Sequence, residues 1–298
     1  MGNTTFKLEL KTLKNNKEFN INRIMYGENA YDAWHAHEYF NSILEFKNLK
    51  KNIKKNIRFV NLIKNKYFIL IKLLKIFNIK SFLELGSSLF ETIDGLESCN
   101  KKILKTNKNL KKINYYGIEK SIYFKSIGKI IHPKHKISYI DLNNKKKIDL
   151  LYDRAVSSYA FSKESELSKF INKAKISYMN ISFYKNIHSN NNENFKLVGN
   201  NGYKYSLFNI DKIKLDKHIS GYYLFGKKRP DHDKIKFNIK KKILRLDGFF
   251  LFCSKKNFIK FMNEIKKNKQ NKFMPNIDLN LIKNIKYLNK DNFYKFKT

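Results

Sequence analysis

The sequence has few of the residues that break or crosslink a chain. Its 298 residues include 3 prolines, 11 glycines and 2 cysteines, Cys99 and Cys253. Two cysteines are too few for a disulfide scaffold and suit buried, reduced thiols. No run of about 18 uncharged apolar residues predicts a membrane span, and the amino-terminal residues lack the apolar core of a signal peptide. We therefore expect a cytoplasmic protein.

Arginine is also scarce, although the chain is strongly basic. Lysine and arginine total 62 against 25 acidic residues, a net charge of +37, yet only five of the basic residues are arginine. Base readout and bidentate phosphate binding favour arginine. The lysines are spread along the chain, and their abundance beside asparagine and isoleucine fits an AT-rich genome. A nucleic-acid partner stays open but is not favoured over solvated lysine-rich faces.

Hydrophobic residues make up 42% of the chain, which is enough to form a substantial core. Residues 1–80 predict an N-terminal helical cap, with helical spacing in YDAWHAHEYFNSILEF and NIRFVNLIKNKYFILIKLLKIF. Asn78 breaks that pattern. Residues 256–298 are a Lys-rich C-terminal extension without a chemical motif.

From residue 81 to 255, short apolar strands alternate with polar or helical stretches. This rhythm predicts an α/β fold with a parallel sheet and helices on its faces. The candidate strands are SFLELG (81–86), INYYGIE (113–119), KISYID (136–141), IDLLYD (148–153), ISYMNISF (176–183), GYYLFGK (221–227) and GFFLFCS (248–254). An Asn-rich piece between the fifth and sixth strands predicts a loop.

The stretch SFLELGSSLFETI (81–93) joins a strand to a helix through a turn of small residues. In open parallel sheets, ligands bind beyond the carboxyl ends of the strands, and small residues let the backbone approach them. Gly86, Ser87 and Ser88 form that turn. Only the first glycine of G-x-G-x-x-G is present, and no Gly-Lys-Ser/Thr follows, which excludes a P-loop.

Acidic residues end the next two strands. Glu119 ends the second strand, where a carboxylate can accept hydrogen bonds from both ribose hydroxyls of an adenosine cofactor. The third strand ends in Asp141-Leu142, where a polar and an apolar side chain could flank an adenine. Together with Glu84 in the first strand, these make three acids and a glycine turn in this order, which favours a nucleotide-like ligand.

The segments LELGSS, YYGIEKS, YIDL and IDLLYDRAVSSYAF resemble the class I S-adenosylmethionine-dependent methyltransferases over roughly residues 81–255. The resemblance implies a Rossmann-like, seven-stranded, mostly parallel sheet with helices on both faces. It also implies a last strand inserted antiparallel, for which GYYLFGK and GFFLFCS would be the final pair. The turn departs from the family pattern at Ser88 and Phe90, where glycines are usual.

The resemblance implies a role for each matching position in binding S-adenosyl-L-methionine. Glu84 with Gly86, Ser87 and Ser88 would surround the methionine part. Glu119 would hold the ribose, and Asp141 with Leu142 would frame the adenine. The residues near the transferred methyl group would be Asp153, Arg154 and Ser157.

A narrower resemblance concerns the methyl acceptor. The segment VSSYAFSKESELSKFINKAKISYMNISFY is similar to a stretch of sugar O-methyltransferases, which implies a sugar or other small hydroxyl substrate. Because a hydroxyl is a poor nucleophile, a general base would help, and a histidine or carboxylate is the usual choice. Asp153, His188 and His232 are the candidates. A polar turn explains Asp231, His232 and Asp233 better than a metal site does, so no metal is expected.

Two alternatives stay open at this point. The net charge argues for a nucleic-acid methyltransferase, although the Asn/Asp-Pro-Pro-aromatic target motif of that class is absent from YDRAVSSYAF. A non-catalytic protein with the same fold is the other alternative. Neither the acceptor nor the oligomeric state follows from the sequence.

Overall fold

A computed structural model describes residues 67–88, 90–98, 110–120, 125, 132–153, 156–186, 196–198, 204–226, 243–267 and 282–285. Most of the predicted N-terminal cap, including YDAWHAHEYFNSILEF, lies outside these residues. The second predicted helix is described only at its end, as α1 (Phe68–Ile76). Asn78 follows α1 with φ 46°, a left-handed conformation that asparagine tolerates and that cannot continue a helix. The predicted break at this residue is therefore confirmed.

The described helices are α1, α2 (Glu91–Ser98), α3 (Ser157–Ala160), α4 (Glu164–Ile171) and α5 (Lys255–Lys267), with short 3-10 turns at Leu110–Lys112 and Ile210–Lys212. The described strands are β1 (Ser81–Leu85), β2 (Asn114–Ile118), β3 (Lys136–Tyr139), β4 (Ile148–Asp153), β5 (Ala174–Asn186), β6 (Lys196–Val198), β7 (Lys204–Ser206), β8 (Phe208–Asn209), β9 (Ser220–Gly226), β10 (Ile243–Cys253) and β11 (Lys283–Asn284). Every strand predicted from the sequence is present, and the α/β class is confirmed.

The chain divides into two compact units. In the unit made of Lys72–Gly86 and Leu142–Thr298, the strand order is β11-β9-β10-β5-β4-β1, and β8 pairs with β5. β1 pairs with β4, and β4 with β5, in parallel. β10 lies antiparallel between β5 and β9. The last long strand, β10, is therefore inserted antiparallel between β5 and β9, as expected.

The other unit contains Ser87–Asp141 and the residues up to Ile71. Its two described strands, β2 and β3, pair in parallel, with Asn114 opposite Lys136 and Gly117 opposite Tyr139. A parallel pair needs a crossover connection rather than a tight hairpin. Parallel pairing here and around β4 is what the alternation of strands and helices in the sequence predicted.

In the unit made of Lys72–Gly86 and Leu142–Thr298, a row of aromatic rings crosses five strands on one face of the sheet. Ring centroids are 6.2 Å apart for Phe82–Tyr152, 5.9 Å for Tyr152–Tyr178, 5.3 Å for Tyr178–Phe249 and 4.8 Å for Phe249–Phe225. The five rings share a face because side chains alternate between faces along each strand and the strand register aligns these positions. Such pairs stabilise the sheet beyond simple burial of their area.

The segment between β5 and β9 holds more structure than the sequence predicted. β6 and β7 pair antiparallel, and Phe208 and Asn209 of β8 extend the sheet beside β5. The Asn-rich piece itself lies outside the described residues. Runs of two or three residues are too short to produce a recognisable alternation, so only the pairing partners reveal these strands.

The Lys-rich C-terminal part also contributes to this unit. Helix α5 buries Phe261 and Ile265, and Glu264 forms an ion pair of 3.0 Å with the buried Lys72 of α1. β11 pairs antiparallel with β9. The boundaries proposed at residues 80 and 255 stay predictions.

Cys253 should be inert in the folded protein. Burial raises the pKa of its thiol to about 12, and the side chain is fully covered. Because the thiolate is the reactive form, a Cys99→Ser variant should not react with a disulfide reagent at pH 8. It should react stoichiometrically once unfolded in urea. Rapid labelling of the native variant would contradict this packing.

Asp149 should make the free energy of unfolding fall as the pH becomes acidic. Burial alone would raise the pKa of this carboxyl, but hydrogen bonds from Lys175, Lys80 and Ser81 outweigh it and hold the pKa below its ordinary value. A lowered pKa stabilises the fold above the unfolded-state value, and this contribution is lost as pH falls through the folded-state pKa. We expect Asp149→Asn to flatten the loss of stability below about pH 4. Urea unfolding at several pH values measures this, and parallel curves for both proteins would refute it.

Candidate functional site

The carboxyl ends of β1 and β4 lie side by side, with Leu85 opposite Asp153 in the register. Glu84 is buried in β1 at 1% exposure. Gly86 follows with φ +66°, and a Cβ built there would lie 2.5 Å from Val156 Cγ2. Only glycine combines this left-handed backbone with so close an approach. The tight turn predicted at Gly86 is therefore present.

The next residues of the turn bond to the end of β2. The Ser87 backbone N–H donates to the Ile118 carbonyl at 3.3 Å, and the Ser88 N–H donates to Glu119 Oε2 at 2.8 Å. The other carboxylate oxygen of Glu119 accepts from the Lys120 N–H at 2.8 Å. Ser87, Ser88 and Glu119, predicted separately from the sequence, thus meet in one hydrogen-bonded cluster.

Gly117 allows this turn to sit directly on β2. A Cβ at Gly117 would lie 2.3 Å from Ser87 Oγ and 2.7 Å from Phe90 Cζ. Ser87 is buried, and within the described part of the chain its hydroxyl has no hydrogen-bond partner. A buried hydroxyl of this kind is uncommon and calls for a ligand or water to bond it.

Two non-glycine residues of the turn have positive φ. Ser88 is at 47° and Phe90 at 57°, and these are the two positions at which the sequence departs from the methyltransferase pattern that it resembles. The Phe90 ring is fully buried and packs on Tyr139 of β3, with ring centroids 5.4 Å apart. A bulky residue in this region is a genuine outlier. The burial of its ring offsets the backbone strain.

At the end of β4, Asp153 organises the start of α3. Its Oδ1 accepts from the Val156 N–H at 2.7 Å and the Ser157 N–H at 3.2 Å. Asp153 and Ser157 are both fully buried. Among the described residues, the Ser157 hydroxyl has no hydrogen-bond partner. Asp153 therefore positions backbone N–H groups and a buried hydroxyl at this strand end.

The other predicted site residues are less constrained. Asp141 is exposed, and Leu142 is partly buried, with its carbonyl accepting a hydrogen bond from Lys173 Nζ. Arg154, His188 and His232 lie outside the described residues. In the described ranges, no cluster of three or more His, Cys, Asp or Glu side chains could hold a metal ion, and no helix is long and apolar enough to cross a membrane.

Sequence reasoning missed Gly117, Phe90 and Tyr139 as parts of the site. A glycine inside a strand pattern signals close backbone approach, so Gly117 could have been found. Phe90 was noted only as a departure from the family pattern. Its contact with Tyr139 joins residues far apart in sequence, and no local pattern predicts it.

No protein-family profile matches the sequence, and a search of curated proteins finds no match. Among solved structures, the chain is similar to EvdMO1, with 10% identity, 61% of this chain and 39% of that chain covered, and a TM-score of 0.36. It is similar to the plantazolicin methyltransferase BpumL in complex with SAH, with 15% identity, coverage of 61% and 62%, and a TM-score of 0.32. For an S-adenosylmethionine-dependent methyltransferase from Clostridium acetobutylicum ATCC 824, identity is 12%, coverage 75% and 86%, and the TM-score 0.29.

The chain thus spans 39% and 62% of the length of EvdMO1 and BpumL. At TM-scores of 0.36 or less, these similarities concern the fold alone and say nothing about substrate.

Proposed function

We propose that this chain is an S-adenosyl-L-methionine-dependent methyltransferase that methylates a hydroxyl of a sugar or another small molecule. The observation that supports this most directly is Glu119, a carboxylate at the end of β2 that also binds the Ser88 N–H of the glycine turn at 2.8 Å. A carboxylate there suits the two adjacent hydroxyls of a ribose. The acceptor would belong to cell-surface glycan or glycoside biosynthesis.

The residues present fit this cofactor. Glu119 accepts hydrogen bonds from the Ser88 and Lys120 N–H groups, which hold its carboxylate at the end of β2. From there it would accept hydrogen bonds from the ribose hydroxyls. The buried Ser87 hydroxyl, for which the described residues provide no partner, offers a further bond beside it.

The cofactor, when bound, supplies a methyl group on a sulfonium, and the protein contributes proximity and alignment. Glu84 and the Gly86–Ser88 turn would bind its methionine part, and Asp141 with Leu142 would frame the adenine. At the end of β4, Asp153 holds the Val156 and Ser157 N–H groups and would position Ser157 near the methyl group. Arg154 stays a candidate from the sequence for the same place.

The general base would be His188, His232 or Asp153. Because Asp153 Oδ1 already accepts two backbone hydrogen bonds, positioning is its better supported role. A histidine base would make activity fall as pH drops below about 6.5. His188→Ala and His232→Ala variants, compared across pH 5–9 in a methyl-transfer assay, would identify which side chain causes that fall.

A second candidate function is cofactor binding without catalysis. The observation that favours it is the substitution of glycines by Ser88 and Phe90, both at positive φ. The buried Phe90 ring occupies space beside Gly117 that a smaller residue would leave open.

Calorimetric titration with S-adenosylmethionine and S-adenosylhomocysteine tests the proposal first. Micromolar binding, followed by methyl transfer to one of a panel of nucleotide sugars and glycosides, is the expected result. Binding without transfer to any sugar, small hydroxyl compound or RNA would favour the non-catalytic function. No binding of either compound by the folded protein would rule out both.

A further inference from the structure

Helix α5 presents an outer face that carries only positive charge. Its one acid, Glu264, is partly buried and ion-paired with Lys72 at 3.0 Å. The exposed residues of the helix are Lys255, Lys256, Ile259, Lys260, Asn263, Lys266 and Lys267. Ile259 is 50% exposed among these lysines. We call this set the α5 basic face.

The lysines at the start of α5 oppose the local stability of the helix. Cations are unfavourable near a helix N-terminus and anions favourable, yet the first turn of α5 has no acid and begins with Lys255 and Lys256. Helix α4 has the ordinary arrangement, with Glu164 and Glu166 in its first turn and Lys169 in its last. A genome-wide codon bias acts on both helices alike, so it does not explain the difference.

A cavity adjoins this face at the amino ends of the parallel strands. Its volume is about 340 Å³, and its lining consists of Phe77, Asn78, Ile79, Lys80, Asp149, Lys175, Ile176 and Asn257. Asn257 belongs to α5, so the cavity and the α5 basic face are continuous. Gly86 and Asp153 lie at the carboxyl ends of the same strands, which separates this cavity from them. Its volume is within the range of small-ligand pockets, about 300–1,000 Å³.

The electrostatics of the cavity favour an anion. Asp149 is the one acid among the described lining residues, and its carboxylate accepts hydrogen bonds from the Lys80 N–H, the Ser81 N–H and hydroxyl, and Lys175 Nζ. Lys175 Nζ is ion-paired with Asp149 at 2.7 Å, so these two charges balance. The described lining therefore carries one excess positive charge, that of Lys80.

The remaining lining groups suit a heterocyclic base. Phe77 offers a partly exposed ring, with Lys260 Nζ of α5 5.7 Å from its centroid. Asn78 and Asn257 contribute amides, which can both donate to and accept from base edges. Aromatic rings beside a positively charged groove are the combination that binds single-stranded nucleic acids. An anionic bilayer, by contrast, is flat and needs no cavity.

We propose that the cavity and the α5 basic face form a binding site for single-stranded RNA. One nucleotide occupies the cavity, with its base against Phe77 and the asparagine amides. The phosphates that follow it bind Lys255, Lys256 and Lys260. This site is distinct from the proposed cofactor site and does not depend on methyl transfer.

The test uses the full chain and a fluorescein-labelled 12-nucleotide RNA of mixed sequence, with anisotropy measured at 50–200 mM KCl. The test variant is Lys255→Glu/Lys256→Glu/Lys260→Glu. The matched control is Lys134→Glu/Lys145→Glu/Lys217→Glu, which makes the same charge change at exposed lysines elsewhere. We expect at least a tenfold loss of affinity and a salt dependence reduced by about two in the log–log slope for the test variant. The control should stay within about twofold of wild type.

Folding of the test variant is checked by circular dichroism, and glutamates at the start of α5 should favour the helix. Asn257→Ala probes the cavity separately, with an expected loss of about fivefold for one hydrogen bond. Equal losses of RNA affinity in the test and control variants would overturn the proposal, because they would show that binding depends on the net charge of the protein and not on this site. Absence of RNA binding at 50 mM KCl would also overturn it, as would binding to phosphatidylserine vesicles without binding to RNA.

Discussion

Replacing Glu119 by alanine is expected to weaken binding of S-adenosylmethionine about a hundredfold. Hydrogen bonds to a charged acceptor contribute about 1.5–3 kcal/mol each, and a carboxylate at this position would accept two from the ribose. A loss of about 3 kcal/mol corresponds to roughly a hundredfold change in Kd. Calorimetric titration of both proteins measures it directly.

Two further variants separate this effect from damage to the turn. Glu119→Gln keeps one acceptor oxygen without charge, and we expect a loss of about tenfold. Glu166→Ala is the matched control, because Glu166 also accepts backbone N–H bonds, from Ser162 and Lys163, but at the start of α4. It should bind the cofactor normally. Wild-type affinity in Glu119→Ala would remove the main support for the proposed function.

Replacing Gly86 by alanine is expected to destabilise the fold by about 3 kcal/mol. A non-glycine residue in the left-handed region costs about 1–2 kcal/mol, and overpacking adds about 1–3 kcal/mol. Both apply here, since φ is +66° and the new Cβ would lie 2.5 Å from Val156 Cγ2. Urea unfolding measures the stability, and cofactor affinity should fall as the turn is displaced.

A double variant distinguishes the two costs. In Gly86→Ala/Val156→Ala the obstructing methyl groups are removed, so the steric part should be recovered while the backbone strain remains. Gly117→Ala provides the contrast, because its predicted clash is with Ser87 Oγ and Phe90 Cζ and Gly117 has no positive φ. If Gly86→Ala unfolded at the wild-type urea concentration, the described geometry of the turn would be wrong.

The strands could be predicted from the sequence because each is a compact apolar run bounded by turn residues. IDLLYD matches β4, Ile148–Asp153, residue for residue. β10 begins at Ile243, before its predicted start, and β5 continues to Asn186, past its predicted end, because these two segments pair with each other. Pairing of that kind depends on a partner strand and leaves no local sequence signal.

The polar residues of the candidate site could be predicted from the sequence, but the packing contacts around them could not. Ser87, Ser88 and Glu119 stand at strand ends, where side chains that bind ligands recur, so their residue types and positions suggested the cluster that is observed. The stacking of Phe90 on Tyr139 and its approach to Gly117 were not predictable. They bring together residues whose positions along the chain carry no information about contact.

The sequence by itself determined the α/β class, the positions of the long strands along the chain and the small-residue turn after β1, because these follow from local periodicity and from glycine's conformational freedom. Only the tertiary structure decided that Glu119 binds the Ser88 N–H, that Asp153 holds the start of α3, and that the lysines of α5 adjoin a cavity. These features arise when distant segments pack. Distances between side chains then follow from strand register and helix placement, which residue order along the chain does not specify.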